Sequence, residues 1–141
     1  MIFVDNALAD AIRREGERAY PNECCGVLLG DIDENDHKVL HLIEPIVNSR
    51  EEGEQYHRFL ITPEDIMRAE QKARSLKMDV LGFYHSHPDC PAKPSDYDKE
   101  HALPFYSYII LSVFEGVAGE TTSWELDSDR AGFHVEEIKE G

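Results

Sequence analysis

The sequence has few basic residues and a large excess of acidic ones. Lysine and arginine together number 14, against 29 aspartates and glutamates, so the formal net charge is −15. Such a surface repels phosphate groups, which argues against binding to nucleic acid or to an anionic membrane. The densest acidic run, at Glu51, Glu52 and Glu54, is interpreted as a solvated loop.

Long apolar runs and paired cysteines are also missing. No stretch approaches the ~18 apolar residues of a membrane span, and the opening MIFVDNALAD carries two aspartates where a secretory signal is basic and then apolar. The cysteines, Cys24, Cys25 and Cys90, are odd in number, and adjacent cysteines have poor disulfide geometry. These absences predict a reduced, cytoplasmic protein with no membrane segment.

What is present is the composition of a globular domain. The 141 residues are 41% hydrophobic and 30% charged, and they contain no internal repeat and no low-complexity linker. This length can bury one core, so we expect a single domain over residues 1–141.

Hydrophobic periodicity predicts helices and strands in alternation. Residues 6–19 have helical spacing after a cap at Asp5 or Asn6. A second helix is predicted to begin at Thr62, Pro63 and Asp65, with a core face formed by Ile66, Ala69, Ala73 and Leu76. A short third helix is expected at 95–101.

Strands are predicted between these helices. A central sheet flanked by helices follows, in an α+β or mixed α/β domain. The lone Trp124 is interpreted as a packing residue. The expected strands are 24–30, 38–48 with a break at Pro45, 56–61, 78–88, 106–114, 122–127 and 132–138.

Two histidines stand at the end of the predicted strand 78–88. Because side chains alternate faces along a strand, His85 and His87 aim at one point while Ser86 faces the other side. Two convergent imidazoles are a natural start to a zinc site, which in catalytic form takes three protein ligands and leaves one position to water. An H-x-H pair alone is nevertheless a weak signal.

A third ligand is available after His87, with ten residues between. Asp98 would present its carboxylate from the first turn of a helix, completing a set of two histidines and one aspartate. Ser95 and Asp98 taken alone are a helix capping box. The two interpretations are compatible, because a capped turn holds Asp98 still.

A zinc-activated water also needs a proton acceptor nearby. Glu23, at the mouth of the buried strand CCGVLLG, is the best candidate in the sequence. Taken alone it is a surface glutamate after a proline. Cys90 lies in the loop after the histidines, but the ligand set is complete without it, so an idle or packed thiol is the favoured interpretation.

The combination of Glu23 with HSHPDCPAKPSDYD resembles the JAMM motif of the Mov34/MPN-type zinc metallopeptidases. That motif has a distant Glu, then H-S-H, seven residues and S-x-x-D, and it fits here without a gap. The segments PNECCGVLLG, SYIILSV and SWEL are similar to the short, Mec-like prokaryotic members. The resemblance covers the chain from about Leu8 to Ile138.

The resemblance implies a fold and a set of roles. The fold is a cytidine-deaminase-like, MPN-type twisted mixed sheet, largely antiparallel and flanked by helices. His85, His87 and Asp98 would hold Zn²⁺, and Glu23 would be the general acid/base. Ser95 would donate a hydrogen bond to the oxyanion, and Ser86 would be structural.

The resemblance also implies a substrate class. Eukaryotic members cleave isopeptide bonds after the diglycine tail of ubiquitin-like proteins, whereas short bacterial members act on ubiquitin-like sulfur-carrier proteins, releasing an amino acid or an extension from the C-terminal Gly-Gly. Residues 49–55 or Tyr56–Ile61 could line the groove for that tail, or they are an ordinary loop and strand.

Two other functions remain open. The first is another zinc hydrolase on the same site, either a deubiquitinase-like isopeptidase or a small-peptide amidase. The second is a non-catalytic MPN-type binding scaffold, although scaffolds typically lack motif ligands and every motif position is filled here. The carrier, the released amino acid and the oligomeric state, a homodimer included, stay open as well.

Overall fold

The structure is a computed structural model that describes residues 1–46 and 61–141. Most of the predicted strand 56–61, the loop 49–55 and the acidic run at residues 51–54 lie outside the described residues. Within the described part the elements are β1 (Ile2–Val4), α1 (Asn6–Ala19), β2 (Cys25–Ile32), β3 (Lys38–Ile46), α2 (Pro63–Ser75), β4 (Asp79–Pro88), α3 (Asp96–His101), β5 (Ser107–Phe114), β6 (Val117–Leu126), β7 (Phe133–Glu136) and β8 (Ile138–Glu140).

The strands of the described residues form one mixed sheet in the order β7-β6-β5-β4-β2-β3-β1-β8. Four neighbouring pairs are antiparallel: β2 with β3, β2 with β4, β5 with β6, and β6 with β7. Three pairs are parallel: β1 with β3, β1 with β8, and β4 with β5. The predicted mixed, largely antiparallel sheet of an α+β fold is therefore confirmed.

The sheet curls strongly, because its two edge strands are consecutive in sequence. Only Glu137 separates β7 from β8, and one residue spans at most about 3.6 Å. The curl also brings β3 to β5: the Lys38 ammonium donates to Ser107 Oγ at 2.7 Å and to the Phe105 carbonyl at 3.0 Å. The two edges of the sheet thus meet beside the Ile2 amide, which donates to the Glu137 carbonyl.

Each face of the sheet carries its own apolar cluster. On one face α1 packs Ala9 and Ile12 with Tyr84, Leu111 and Val113. On the other face α2 packs Ala69 and Ala73 against the cluster that contains Val27, Phe83 and Tyr108. None of the described helices is long and apolar enough to cross a membrane.

The helix predictions hold with one exception. Asp5 caps α1 by accepting the Leu8 amide at 2.8 Å, and Thr62 and Asp65 form a capping box on α2. The placement of Leu76 on the core face was wrong, since it is 43% exposed. The helix ends one residue earlier, and the positive φ of 58° at Lys77 turns the chain away towards β4.

The predicted break at Pro45 was also wrong. Strand β3 runs through Pro45, which pairs with Gly26 of β2. Beyond Val39 the other edge of β3 has no strand neighbour among the described residues. A residue without an N–H is tolerated where one edge makes no ladder, so proline does not interrupt this strand.

The ends of the chain differ from the prediction as well. The expected strand 132–138 is two strands, β7 and β8, which lie at opposite edges of the sheet. Strand β1 was not predicted at all. Strands β1 and β8 have three residues each, which is too short for an alternating pattern to be recognised in the sequence. They pair in parallel with each other.

Candidate metal centre

The two histidines lie at the end of β4, in the middle of the sheet. Strand β4 is paired on both sides, with β2 and with β5, so its last residues are held rigidly. His85 and His87 share the α2 face with Phe83, are 2% and 8% exposed, and place their Nε2 atoms 3.0 Å apart. The predicted convergence is therefore confirmed.

Asp98 reaches the histidines from the first turn of α3. Ser95 caps this helix: its amide donates to Asp98 Oδ2 at 2.8 Å, and its hydroxyl accepts the Asp98 amide at 3.1 Å. Asp98 Oδ1 lies 3.4 Å from His85 Nε2, and Oδ2 lies 3.3 Å from His87 Nε2. The structure thus brings together the three predicted ligands, with all their ligand atoms within 4.8 Å of one another.

The spacing of these atoms fits a divalent metal such as zinc. Ligands at 2.0–2.1 Å in a tetrahedral site stand about 3.3 Å from one another, close to the separations of 3.0, 3.3 and 3.4 Å found here. The His87 Nδ1–H donates to the Pro91 carbonyl at 2.9 Å, which leaves the Nε2 lone pair facing the cluster.

The protonation states also suit metal binding. Burial would raise the pKa of Asp98, but the neighbouring His85, hydrogen bonds with both histidines and the Ser95 amide hold it well below its usual range. Burial lowers the pKa of His85 and favours its neutral form. The neutral imidazole is the form of histidine that binds a metal.

The pKa of His87 shifts in the opposite direction to that of His85. Burial would lower its pKa, but the hydrogen bonds to Asp98 and to the Pro91 carbonyl, together with the Asp98 charge, raise it. The three side chains titrate as one coupled group. An ionised carboxylate beside two imidazoles is the set of groups that a metal binds, with release of any imidazolium proton.

Ser86 joins β4 to the start of β2. Its hydroxyl accepts the Cys24 amide at 2.8 Å, and its own amide donates to the Cys24 carbonyl at 3.1 Å. Ser86 is 0% exposed and lies on the face opposite the histidines, as the alternation predicted. It fixes the register between the two strands.

That register positions Glu23. Cys25 pairs with His85 in the antiparallel ladder, so continuing by two residues sets Glu23 opposite His87. Opposite residues of an antiparallel pair point to the same face. Extending the β2–β4 register past the start of β2 in this way assigns Glu23 to the face that carries the trio, and the residue is 7% exposed.

Ser95 lies at the start of α3 and is exposed to solvent. Its oxygen accepts the Asp98 amide, so the hydroxyl proton remains available for donation to another group. The cysteines stay outside the trio: Cys24 and Cys25 are buried, and Cys90 is an exposed free thiol. Burial raises the pKa of Cys24 to about 11.

An apolar groove opens beside His85 and Asp98, and the sequence analysis did not identify it. The groove depends on the β4–β5 pairing, which local sequence patterns do not give: Phe83 pairs with Tyr108 and His85 with Ile110 in the parallel ladder, which places them on one face. Ile61, the last residue of the predicted strand 56–61, also lines this groove. The other lining residues include Ile66, Tyr97, His101, Leu103 and Phe133.

Comparison with known proteins agrees with this geometry. The family model for prokaryotic homologs of the JAB domain matches residues 5–127. A desampylase of Haloferax volcanii is 36% identical over 110 residues, which are 77% of this chain and 74% of that protein. A desampylase of Pyrococcus furiosus is 34% identical over 104 residues, 74% of this chain and 66% of that protein.

Solved structures share the fold. A protein of Desulfitobacterium hafniense, known from a solution structure, has a TM-score of 0.85 and 29% identity, covering 100% of this chain and 93% of that one. A JAB1/MPN domain protein of Archaeoglobus fulgidus has a TM-score of 0.59, with 100% and 97% covered; at 19% identity it shows the fold alone. Given the family match over residues 5–127 and the identity to two desampylases, this chain belongs to the prokaryotic JAB family of JAMM/MPN proteins.

Proposed function

We propose that the protein is a zinc-dependent metallopeptidase that hydrolyses the amide or isopeptide bond after the C-terminal Gly-Gly of a ubiquitin-like sulfur-carrier protein. The observation that carries the proposal is the cluster of His85, His87 and Asp98, whose ligand atoms lie within 4.8 Å of one another. The relatives named desampylase carry an enzyme name, which supports catalysis by a metal-dependent hydrolase.

The residues divide the chemistry between them. The zinc held by His85, His87 and Asp98 would polarise the scissile carbonyl and acidify the attacking water. Glu23, buried on the same face, takes the proton from that water and returns it to the leaving nitrogen. The Ser95 hydroxyl donates a hydrogen bond to the carbonyl oxygen as negative charge develops on it.

A diglycine tail suits the surroundings of this site. It has no side chains, so it can lie extended and add main-chain hydrogen bonds to a sheet edge. Cys25 pairs both with His85 and with Ile46, so the end of β3 lies two strands from the metal ligands. The edge of β3 that faces away from β2 has no strand neighbour there among the described residues. This supports the proposal that the diglycine tail pairs with that edge.

The apolar groove beside His85 supports a protein substrate rather than a small polar one. Phe83, Tyr108 and Ile110 supply an apolar floor next to the ligands. A deubiquitinase-like isopeptidase is the second candidate, since it would use the same residues on a different conjugate. The cytoplasm, where sulfur carriers work and thiols stay free, is the proposed location.

The test is a substrate panel with the purified chain in zinc-loaded and chelator-treated forms. The panel contains a carrier protein extended by cysteine after its Gly-Gly, a ubiquitin isopeptide conjugate and a short peptide amide. We expect zinc-dependent cleavage of the carrier substrate to be fastest. Faster cleavage of the ubiquitin conjugate would favour the second candidate. Tight binding without cleavage of any conjugate by the zinc-loaded chain would contradict both and favour a scaffold.

A further inference from the structure

The loop that joins the histidines to Asp98 is held by hydrogen bonds at its first residue. This loop, residues 89–95, is called the metal loop below. Asp89 accepts the Tyr20 hydroxyl at 2.7 Å and the Glu115 amide at 2.8 Å, and its own amide donates to the Val113 carbonyl. The first residue of the loop is thereby held against α1 and the β5–β6 turn.

A second tie reaches the middle of the metal loop from β6. The Thr122 hydroxyl donates to the Ala92 carbonyl at 2.6 Å, and Ala92 is 0% exposed. The Thr122 side chain shares a face with the metal ligands, since Thr122 pairs with Ile110 and Ile110 pairs with His85. One strand, β5, therefore separates His85 from the residue that holds its loop.

Trp124 holds the Thr122 hydroxyl from its other side. Its indole N–H donates to Thr122 Oγ at 2.8 Å, and an indole nitrogen can only donate. The threonine oxygen accepts this bond, and its single proton is donated to the Ala92 carbonyl, which can only accept. Chains of this kind strengthen each bond by polarisation. Trp124 is thus more than the packing residue expected from the sequence.

Ala92 lies between the two supports of the metal site. Pro91, directly before it, accepts the Nδ1–H of His87, and Ser95, three residues after it, caps the helix that carries Asp98. We propose that Thr122, oriented by Trp124, is a positioning residue that sets the metal loop and thereby the separation of Asp98 from the histidines. This inference rests on the proposed metal site but not on the identity of the substrate.

The test compares Thr122→Val with its neighbour Thr121→Val. Both changes replace a hydroxyl by a methyl group on adjacent residues of β6, but Thr121 points to the other face. Its buried hydroxyl has no hydrogen-bond partner within the described residues. Zinc affinity is measured by competition with a chromophoric chelator. We expect Thr122→Val to bind zinc about 10–100-fold more weakly, as loss of a ligand's supporting partner does, with Thr121→Val unchanged and Thr122→Ser close to the wild type.

Amide hydrogen exchange of the metal-free chain gives a readout that does not depend on activity or zinc. The Lys93 amide, bonded to Pro91, and the Asp98 amide, bonded to Ser95, should exchange faster in Thr122→Val and not in Thr121→Val. Unchanged zinc affinity and exchange in Thr122→Val would overturn the inference, as would an equal loss in Thr121→Val.

Trp124→Phe covers the case in which Thr122→Val does not fold. It keeps one aromatic ring and removes the donor to Thr122. A smaller change in the same direction is expected, and wild-type affinity and exchange would overturn the inference. A wild-type chain that binds zinc but cleaves no conjugate would contradict the proposed function and leave this inference intact. The zinc-affinity and hydrogen-exchange measurements need no substrate.

Discussion

Ser86 and Cys24 are joined by two hydrogen bonds that run in opposite directions. The Ser86 hydroxyl accepts the Cys24 amide at 2.8 Å, and the Ser86 amide donates to the Cys24 carbonyl at 3.1 Å. The residue after Cys24 pairs with His85, and the residue before it is Glu23. A serine whose side chain points away from His85 and His87 thus fixes the start of β2, directly after the proposed base.

Replacing Ser86 by alanine should destabilise the protein. The Cys24 amide, which belongs to a residue only 7% exposed, would lose its acceptor, and an unsatisfied buried donor costs about 1–3 kcal/mol. Urea unfolding measures the loss. Ser112→Ala is the matched control, because the Ser112 hydroxyl makes a longer bond of 3.4 Å to Glu120 and should cost less. Equal losses in the two variants would contradict the role given to Ser86.

Substitutions of Ser95 should separate capping from catalysis. Ser95→Ala removes both the acceptor for the Asp98 amide and the proposed oxyanion donor, so we expect about 1 kcal/mol less stability and a kcat about 10²–10³-fold lower. Ser95→Thr keeps both groups and should restore both properties. Ser95→Asp keeps a capping oxygen without a proton, so it should restore stability alone; recovery of kcat in that variant would exclude the donor role.

The metal-free protein should lose stability in acid through Asp98. The folded-state pKa of this carboxyl lies below the unfolded value of ~3.9, so the ionised form stabilises the fold at neutral pH. The contribution of ionised Asp98 to the free energy of unfolding is fully present above the unfolded pKa. It is lost as pH falls through the folded pKa, and the loss begins at about pH 5.

Urea unfolding of the metal-free chain between pH 7 and pH 3 checks the Asp98 contribution. Asp98→Asn should show a shallower loss towards low pH than the wild type. Asp96→Asn, an exposed residue in the same turn of α3, should follow the wild-type profile. A wild-type slope in Asp98→Asn would mean that another group carries the acid sensitivity.

The sequence predicted the cluster of His85, His87 and Asp98 because each signal was local. Strand alternation aims His85 and His87 at one point, and the S-x-x-D box at Ser95 places Asp98 on a capped turn. The helix starts at Asp5 and Thr62 follow from capping chemistry in the same way. Each inference needed only a few neighbouring residues.

What the sequence could not supply depends on distant parts of the chain. Pro45 is tolerated in β3 because, beyond Val39, one edge of that strand has no strand neighbour among the described residues. Strands β1 and β8 form because the sheet curls until their short segments meet. The apolar groove and the Thr122–Ala92 bond combine residues from separate strands and loops. Local periodicity carries no information on such pairings.

The most direct test of the metal-dependent hydrolase is to measure zinc content and carrier cleavage in Glu23→Gln. We expect about one zinc per chain, as in the wild type, with cleavage reduced by about 10²–10⁴-fold, the usual contribution of a general acid or base. Glu15→Gln on α1, at the other face of the sheet, should keep both zinc and activity. Cleavage at the wild-type rate by zinc-loaded Glu23→Gln, or a wild-type chain that binds no zinc, would contradict the account.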